Sequence, residues 1–286
     1  MEKQNSYSFL RKKLEKMFTE ERIDELADID WIMVEVTGKQ RSMLPFVEYS
    51  EEDIQKIMEI AKKRAEHIPL GYILGKSYFF GREFKTNSSV LIPRLDTEVL
   101  IEQIVKEIKE FQEKKQTRAK VLDIGTGSGA IAITIQKETG ADVTAVDVSN
   151  KALAVAKENA KNLKADVLFL ESDLFESVHE KKFDFIVSNP PYIESAVIES
   201  LSPEVRDNEP ILALDGGEDG LEFYRKIILQ SPKYLNKNGK LYFEIGYNQA
   251  EAVKKLMQND FEKLRVVRDY SDNDRVVLGE IKWLKD

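Results

Sequence analysis

The chain has 286 residues, of which 42% are hydrophobic and 33% charged, and its formal net charge is −8 at pH 7. This length and composition predict a soluble globular protein with one large and one small domain. The sequence has no cysteine and only two histidines, which excludes disulfides, thiolate chemistry and a histidine-based metal site, so no metal is expected. The sequence shows no apolar membrane span and no apolar leader, so we expect a cytoplasmic protein that does not bind a membrane. Its acidic net charge disfavours binding to nucleic acid.

Residues 1–75 carry apolar side chains at helical spacing and are predicted to form a small helical bundle. One helix is predicted to begin after Ser50, because acidic residues fill the next turn. No motif here carries chemistry, which favours a recognition domain. Two short strands around a turn are predicted next, Ser77–Lys85 and Ser89–Ile92, followed by a helix over residues 96–113.

A glycine-rich loop follows the first strand of the remaining region. The strand is Lys120–Ile124, the loop is Gly125-Thr126-Gly127-Ser128-Gly129, and a helix opens at Ala130. Glycine lets the backbone approach a ligand closely, and a helix N-terminus presents free N–H groups. The five loop residues are therefore candidate cofactor-binding residues. Because Gly125, Gly127 and Ala130 also match the dinucleotide fingerprint, the loop alone leaves the type of nucleotide cofactor open.

Acidic residues around this loop narrow the choice of cofactor. Asp147 ends the predicted strand Asp142–Asp147, about 20 residues after the loop, where a carboxylate can accept hydrogen bonds from both ribose hydroxyls. Asp123 precedes the first glycine by two residues, where it can meet an ammonium group but would repel a pyrophosphate. Asp173 and Leu174 follow a predicted strand over residues 166–170, and Asp173 can accept a hydrogen bond from an adenine amino group. These positions favour S-adenosylmethionine over NAD, although Asp147 and Asp173 singly also fit a helix cap or a solvated loop.

Four residues, Asn189-Pro190-Pro191-Tyr192, follow the predicted buried strand Phe183–Ser188. The prolines cannot donate backbone hydrogen bonds, so the strand stops at the edge where open α/β sheets bind ligands. The Asn189 amide oxygen and the Pro190 carbonyl can both accept hydrogen bonds from one NH₂ group. The motif therefore predicts a site for a planar amino or amide nitrogen, although Asn-Pro and Pro-Pro are also ordinary turn formers.

The C-terminal third continues the alternation of strands and helices, which predicts a mainly parallel sheet with helices on both faces. One further strand is predicted over residues 240–245. An apolar stretch around Leu264–Val267 then leads through the turn Ser271–Asp274 into Arg275–Leu278. This pattern predicts a C-terminal hairpin whose last strand runs antiparallel.

The segment Asp123–Gly129 together with Asn189-Pro190-Pro191-Tyr192 resembles class I S-adenosylmethionine-dependent methyltransferases that modify a planar nitrogen. Within that group the chain resembles the HemK/PrmC family, the protein-glutamine N5-methyltransferases of peptide-chain release factors. Further matching segments are Leu91–Arg94, Asp96–Glu98, Glu204–Asp207, Ala213–Gly220 and Asn273–Val277.

The resemblance implies an α/β fold with a doubly wound, mainly parallel seven-stranded sheet, a C-terminal antiparallel hairpin and a small N-terminal helical bundle. It implies a substrate-recognition domain at residues 1–75, a β-hairpin linker at 76–93 and a methyltransferase domain at 94–286. The implied substrate is the glutamine of the Gly-Gly-Gln motif in class I release factors. The methyl donor would be S-adenosylmethionine, with S-adenosylhomocysteine as product.

Asn189, Pro190 and Tyr192 are the predicted catalytic residues. Two acceptors would fix the plane of the substrate NH₂ group and stabilise the positive charge that develops on nitrogen, and Tyr192 would supply an aromatic wall. The same residues with Pro191 and Arg206 are the predicted substrate contacts, although Arg206 also fits a loop ion pair with Asp207 or Glu209. The predicted cofactor contacts are Asp123, Gly125–Gly129, Asp147, Asp173, Leu174 and Asn189.

Three other functions remain open at this point. An adenine amino-methyltransferase would use the same Asn-Pro-Pro-Tyr chemistry, but it should carry a basic groove and a means to extract a base. An NAD-dependent oxidoreductase does not explain Asp123 or the Asn-Pro-Pro-Tyr motif. A helical interaction protein with a vestigial nucleotide domain is disfavoured by an intact loop, acid and motif.

Overall fold

A computed structural model describes residues 5–179 and 182–282, and these residues cluster into two units. The first unit contains the chain up to Gly75 and the later segment Ser202–Asn208. The second contains Lys76–Leu201 and the chain from Glu209 onwards. A short piece of the C-terminal half thus belongs with the N-terminal helices, which the sequence analysis did not predict.

The helices of the described chain are α1 (Tyr7–Glu20), α2 (Ala27–Thr37), α3 (Glu51–Ala65), α4 (Leu70–Leu74), α5 (Asp96–Lys115), α6 (Ala130–Thr139), α7 (Asn150–Leu163), α8 (Pro203–Asn208), α9 (Glu222–Gln230) and α10 (Ala250–Met257). Short 3₁₀ helices lie at Arg41–Phe46, Ser195–Ser200, Ile211–Ala213 and Ser231–Lys233. The strands are β1 (Lys76–Phe79), β2 (Arg82–Lys85), β3 (Lys120–Ile124), β4 (Asp142–Asp147), β5 (Val167–Glu171), β6 (Phe183–Ser188), β7 (Leu235–Glu244), β8 (Phe261–Arg268) and β9 (Asp274–Ile281).

The helical unit has its own apolar core. Helices α1, α2 and α3 each present one apolar stripe to it, because their apolar residues recur every three or four positions. Buried members of this core are Leu10, Leu14, Phe18, Ile29, Ile32, Met33, Ile57 and Ala61. Helix α3 begins with a capping box, in which the Asp53 N–H donates to Ser50 Oγ at 3.1 Å and the Ser50 N–H donates to Asp53 Oδ2 at 3.0 Å. The predicted helical N-terminal region is confirmed.

Arg64 on α3 fastens α8 within the helical unit. Its buried guanidinium donates through Nη2 to Glu204 Oε2 at 2.7 Å and through Nε to Asp28 Oδ2 at 2.7 Å. A buried guanidinium requires carboxylate partners, because an unpaired charge in apolar surroundings is costly. This contact explains why Ser202–Asn208 clusters with helices about 140 positions earlier in the chain.

Among the described residues, seven strands form one sheet in the order β5-β4-β3-β6-β7-β9-β8. Strands β3 to β7 pair in parallel, whereas β9 lies antiparallel to both β7 and β8. Because successive strand residues point to opposite faces, β3 sends Val121 into a core with α5 and α6, and Leu122 into a core with α9 and α10. The predicted doubly wound, mainly parallel sheet with a C-terminal antiparallel hairpin is confirmed.

The predicted strand pair before this sheet is wrong. The hairpin lies entirely within residues 76–85, where β1 pairs antiparallel with β2, and residues 89–92 form no strand. Phe80 and Gly81 turn the chain with φ of 48° and 71°, the backbone of a two-residue hairpin turn. The sequence does not reveal this turn, because Phe80 continues a run of aromatic residues that favours an extended strand.

Two strand limits also differ from the predicted ones. Strand β5 lies one residue later than predicted, and β7 begins at Leu235 instead of residue 240. The early part of β7 carries an irregularity, since Phe183 pairs with Leu235 while Phe185 pairs with Lys240. The polar run Asn236–Gly239 at this irregularity is typical of a turn, so the sequence does not predict a strand there.

No helix among residues 5–179 and 182–282 is long and apolar enough to cross a membrane.

Candidate functional site

The two predicted motifs lie at the point where the strand order of the sheet reverses. After β3 the chain adds β4 and β5 on one side, and β6 then pairs with the other side of β3. Ile124 and Ser188, the last residues of β3 and β6, are partners in the parallel ladder. Ligands of open α/β sheets bind in the crevice beyond such strand ends. The fold therefore places the glycine loop and Asn189 on the two sides of one crevice.

The glycine loop is held by the end of β4. The N–H groups of Gly125 and Thr126 both donate to the Val146 carbonyl, at 2.9 and 3.0 Å. Gly125 and Gly127 have φ of +74° and +54°, and a Cβ at either position would meet no described atom within 4 Å. Their backbones therefore leave room for the close approach of a ligand. Gly129 has a packing role instead, since its Cβ would lie 2.9 Å from Ile133 Cδ1.

Asp147 at the end of β4 braces this loop. Its Oδ2 accepts from the Gly127 N–H at 2.8 Å, and its Oδ1 accepts from the Ser149 N–H at 2.8 Å. Burial raises the pKa of the Asp147 carboxyl, and these backbone donors oppose that shift. The carboxyl thus has a structural task in addition to the predicted contact with a ribose.

Asp123 is fully buried and does not line the cavity between the strand ends. Its Oδ2 accepts from Thr126 Oγ1 at 2.6 Å, whereas Oδ1 makes no hydrogen bond of good geometry with the described residues. Burial raises the pKa of this carboxyl to about 7, against the opposing effect of the Thr126 hydroxyl. A buried acceptor with spare capacity is suited to a ligand cation, which would stabilise its charged form.

A cavity of about 190 Å³ opens between the strand ends. Most of the predicted site residues line it, namely Gly125, Thr126, Gly127, Ser128, Asp147, Asp173, Leu174, Asn189, Pro190 and Pro191. Asp123, Gly129, Tyr192 and Arg206 are not among the lining residues. The structure therefore brings both motifs to one cavity and leaves four predicted residues away from its wall.

Tyr192 packs against neighbouring segments of the chain and does not line the cavity. Its carbonyl accepts from Gln249 Nε2 at 3.0 Å, and its ring packs against the core beside α9 and α10. Cβ atoms at Gly216 and Gly220 would lie 2.7 Å from Tyr192 Cα and 2.4 Å from Tyr192 O. The glycines of the segment Asp215–Gly220 thus allow the backbone of the Asn-Pro-Pro-Tyr motif to be closely packed.

The two arginines that flank the motifs have different surroundings. Arg206 lies on α8 in the helical unit, where Nε and Nη2 donate to the two Asp207 carboxylate oxygens at 2.7 and 2.8 Å. This is the loop ion pair that the sequence left open. Arg94 lines the cavity and pairs through Nη2 with the buried carboxyl of Glu209. Arg94 is therefore a cationic group of the site, a role that the sequence analysis did not assign.

Several residues of the cavity wall were missed. They are Phe79, Val90, Leu91, Arg94, Thr97, Val148 and Phe223. Leu91, Arg94 and Thr97 lie in segments that match the HemK/PrmC family, which was the available signal. The apolar members look like ordinary core residues in sequence, because nothing local indicates which chain segments pack around a cavity.

The lining of the cavity suits the chemical parts of S-adenosylmethionine. That molecule joins a cationic sulfonium and an amino acid to a ribose and an adenine. The cavity combines the carboxyl groups of Asp147 and Asp173 with the apolar side chains of Val148 and Leu174, beside glycines that permit close approach. This set, with the spare acceptor of Asp123, fits the cofactor.

Comparisons with known proteins agree with this fit. The methyltransferase small domain family matches residues 94–202. The crystal structure of the hMettl16 catalytic domain in complex with MAT2A 3′UTR hairpin 6 has the same fold, with a TM-score of 0.54 and 17% identity over 81% of this chain and 82% of that one. Fold and site together define a class I S-adenosylmethionine-dependent methyltransferase.

Two relatives identify the family. The release factor glutamine methyltransferase of Fusobacterium nucleatum is 43% identical over 263 residues, which cover 89% of this chain and 73% of the relative. That of Geobacter sulfurreducens is 41% identical over 260 residues, 89% of each chain. The chain belongs to the release factor glutamine methyltransferase family.

Proposed function

We propose that the protein transfers a methyl group from S-adenosylmethionine to the side-chain amide nitrogen, N5, of the glutamine in the Gly-Gly-Gln motif of class I peptide-chain release factors. One observation carries the proposal: Asn189 and Pro190 line the same cavity as the glycine loop. Two acceptors beside a cofactor cavity suit a planar NH₂ group. The names of the relatives supply the substrate class.

The chemistry requires orientation more than acid–base help. S-adenosylmethionine, when bound, supplies an electrophilic methyl group and leaves as S-adenosylhomocysteine. A glutamine amide nitrogen is a weak nucleophile, because its lone pair is delocalised into the carbonyl. Asn189 Oδ1 and the Pro190 carbonyl would each accept one N–H, which fixes the amide plane and stabilises the charge that develops on nitrogen. Pro191 would contact the substrate from the same wall.

Tyr192 would act through its ring. Burial raises the pKa of the Tyr192 hydroxyl to about 12, so that group stays protonated at neutral pH. A neutral phenol of this kind is no general base, and none is required when the proton leaves after methyl transfer. The proposed aromatic wall requires this ring, which packs against the core and does not line the cavity, to face the substrate amide from the end of the motif.

The cofactor contacts are proposed from the wall of the cavity. The loop Gly125–Gly129 would cradle the amino acid part of the cofactor, with the Asp123 carboxyl behind the loop as partner of its ammonium group. Asp147 would accept from the ribose hydroxyls. Asp173 and Leu174 would bind the adenine, and Asn189 would contact both cofactor and substrate.

The domain roles follow from this site. The helical segment 1–75 would recognise the release factor, residues 76–93 would connect it to the catalytic part, and residues 94–286 would carry the methyltransferase chemistry. Because Arg206 belongs to the helical unit, its proposed contact with substrate would be part of that recognition. We propose a cytoplasmic enzyme that binds neither membrane nor nucleic acid.

The test is methyl transfer from labelled S-adenosylmethionine to three acceptors. They are a purified class I release factor, its Gly-Gly-Gln variant with alanine in place of glutamine, and duplex DNA. Label on the unmodified release factor alone is the expected result. Label on the alanine variant would place the methyl group on another residue, and label on DNA would move the function to a nucleobase amino group.

A further inference from the structure

Glu244 is a buried carboxyl next to the acceptor motif, and neither the cofactor contacts nor the proposed chemistry use it. It ends β7, and it is 2% exposed. Ser188 pairs with Phe243 in the parallel ladder, so Asn189 and Glu244 are the next residues of two neighbouring strands. A carboxyl in this position needs an explanation, because burying an acid without a full set of partners is costly.

The polar neighbours of Glu244 include the Asn189 amide itself. The Thr97 hydroxyl and the Asn189 side chain both lie close enough to the Glu244 carboxyl to lower its pKa. Asn189 Nδ2 also donates to Thr97 Oγ1 at 3.5 Å. Thr97 is buried in the first turn of α5, and Glu244 Oε2 has no partner of good hydrogen-bond geometry among the described residues. The three side chains thus form one small polar network, in which Thr97 and Glu244 are buried and Asn189 lines the cavity.

The direction in which hydrogen bonds are donated in this network fixes which end of the Asn189 amide faces Glu244 and Thr97. An ionised carboxylate can only accept hydrogen bonds, so it can take only the hydroxyl hydrogen of Thr97 and an N–H of Asn189. The Thr97 oxygen then has only lone pairs left for Asn189 Nδ2. Both contacts require the nitrogen end of the Asn189 amide, which leaves Oδ1 as the end available to a ligand.

We propose that Glu244 is a positioning residue, whose carboxylate, together with Thr97, holds the Asn189 amide with Oδ1 available to accept the N–H of the substrate. The inference rests on the proposed function, in which that oxygen binds the glutamine amide. A protonated Glu244 is itself a donor and no longer forces a single orientation of the amide. The enzyme would therefore lose productive orientation when this carboxyl takes up a proton.

The surroundings of Glu244 set the pH at which this happens. Burial raises the pKa of Glu244 to about 7, while Thr97, Arg275 and Asn189 act to lower it. The charged and titratable groups that face it are Arg275 on β9, Asp96 on α5, Tyr192 after β6 and Tyr224 on α9. Burial raises the pKa of Tyr192 to about 12 and the pKa of Tyr224 well above its ordinary value, so neither tyrosine changes charge near neutrality.

The first test needs neither cofactor nor substrate. The side-chain amide of Asn189 is labelled with ¹⁵N and identified by its loss in Asn189→Ala. Its resonances should move with a midpoint near neutrality between about pH 5.5 and about pH 8.5 in the unmodified protein, and most of this movement should be lost in Glu244→Gln. Glu107→Gln changes another buried carboxyl and is the control, in which the Asn189 resonances should still move with pH. An Asn189 amide that does not titrate in the unmodified protein overturns the proposal, whether or not Glu244→Gln folds.

The second test uses turnover on the release factor. At saturating S-adenosylmethionine, whose ammonium group would keep Asp123 ionised, Glu244→Gln should lower kcat about tenfold and abolish the fall of kcat below neutral pH. Its KM for S-adenosylmethionine should stay within about threefold of that of the unmodified enzyme. Thr97→Val should lower kcat similarly, and Thr97→Ser should restore most of it. An unchanged acid limb in Glu244→Gln contradicts the role of Glu244. Absence of methylation by the unmodified enzyme would instead reject the proposed function. The NMR titration of the Asn189 amide would then still test whether Glu244 orients that amide.

Discussion

The Ser188 hydroxyl donates a hydrogen bond of 2.7 Å to the main-chain carbonyl of Ile124. Both groups are buried, and they belong to the last residues of β6 and β3. The next residue after Ile124 opens the glycine loop, and the next after Ser188 is Asn189. One side-chain hydrogen bond therefore ties the strand end that carries the glycine loop to the strand end that carries the proposed substrate acceptors.

Replacement of Ser188 by alanine should weaken this tie. We expect Ser188→Ala to lower the free energy of unfolding by about 1 kcal/mol, because a buried hydrogen bond is lost and a carbonyl loses a donor. Turnover should fall more than that stability loss explains, since the two loops are no longer held in register. Denaturant unfolding and methyl transfer measure the two effects. Ser200→Ala, at an exposed 3₁₀ helix, is the control and should change neither.

Replacement of Asn189 tests the central role in the proposed reaction. Asn189→Ala removes one of two acceptors and should lower kcat on the order of 100-fold, by analogy with the loss of one oxyanion-hole donor. Initial rates at saturating release factor give this number directly. Asn236→Ala is the matched control, because that amide donates to Asp184 at 2.8 Å and does not line the cavity. Near-full turnover by Asn189→Ala would reject the assignment.

Asp123 predicts an unusual dependence of stability on pH. Its pKa in the folded protein is raised from 3.8 to about 7. The stability that this carboxyl contributes is therefore fully present below about pH 4 and is lost as the pH rises to about 7. Asp123→Asn removes the cost of burying the charge, and should raise the free energy of unfolding at about pH 8 by at most about 4 kcal/mol.

Urea unfolding of the cofactor-free protein at about pH 4 and about pH 8 measures this effect of Asp123→Asn. The variant should differ from the unmodified protein mainly at the higher pH. It should also bind S-adenosylmethionine about tenfold more weakly in calorimetry, since the proposed partner of the ammonium group is lost. A gain in stability with unchanged affinity would leave Asp123 a structural residue only.

Sequence reasoning identified the core of the site because local chemistry encodes it. The glycine loop requires backbone freedom at Gly125 and Gly127, and Asn189 is set at a strand end by two prolines, so each motif predicts its own backbone. Strand order then brings them together through a general property of open sheets. The wall residues Val90 and Phe223 carry no such signature, because they take part only through tertiary packing.

The features that the sequence did not indicate have the same origin. Arg206 stays a predicted substrate contact, but its helix belongs to the helical unit, where Arg64 contacts Glu204, and no local pattern indicates that contact. The hairpin was misplaced because the turn at Phe80-Gly81 uses an aromatic residue in a backbone conformation that such residues seldom adopt. The position of Glu244 beside Asn189 depends on the register of two strands that are far apart in the sequence.

The proposed recognition role of the helical unit can be tested on its surface. Met43 and Phe46 are 49% and 79% exposed, and they share a face of the 3₁₀ helix Arg41–Phe46 because its residues repeat every three positions. The double substitution Met43→Ser and Phe46→Ser should raise the KM for a whole release factor about tenfold and leave that for a short Gly-Gly-Gln peptide unchanged. Leu229→Ser, which is 76% exposed on α9, is the control. Equal effects on both substrates would exclude this surface from recognition.

Gly216 supports the motif from behind, and its replacement tests whether the position of Tyr192 matters for turnover. A Cβ at Gly216 would lie 2.7 Å from Tyr192 Cα and 2.8 Å from its carbonyl carbon, both backbone atoms that cannot rotate away. Gly216→Ala should therefore displace Tyr192, lower the free energy of unfolding by about 1–3 kcal/mol and lower kcat at least tenfold.

Gly140→Ala separates this displacement from a general loss of stability. Gly140 has φ of +66° and its Cβ would meet nothing within 4 Å, so alanine there costs about 1–2 kcal/mol of backbone strain without moving the site. Unfolding and turnover of both variants should be compared below the unfolding transition of the less stable one. If Gly140→Ala loses as much kcat as Gly216→Ala, the close packing behind Tyr192 is a matter of stability and has no special part in methyl transfer.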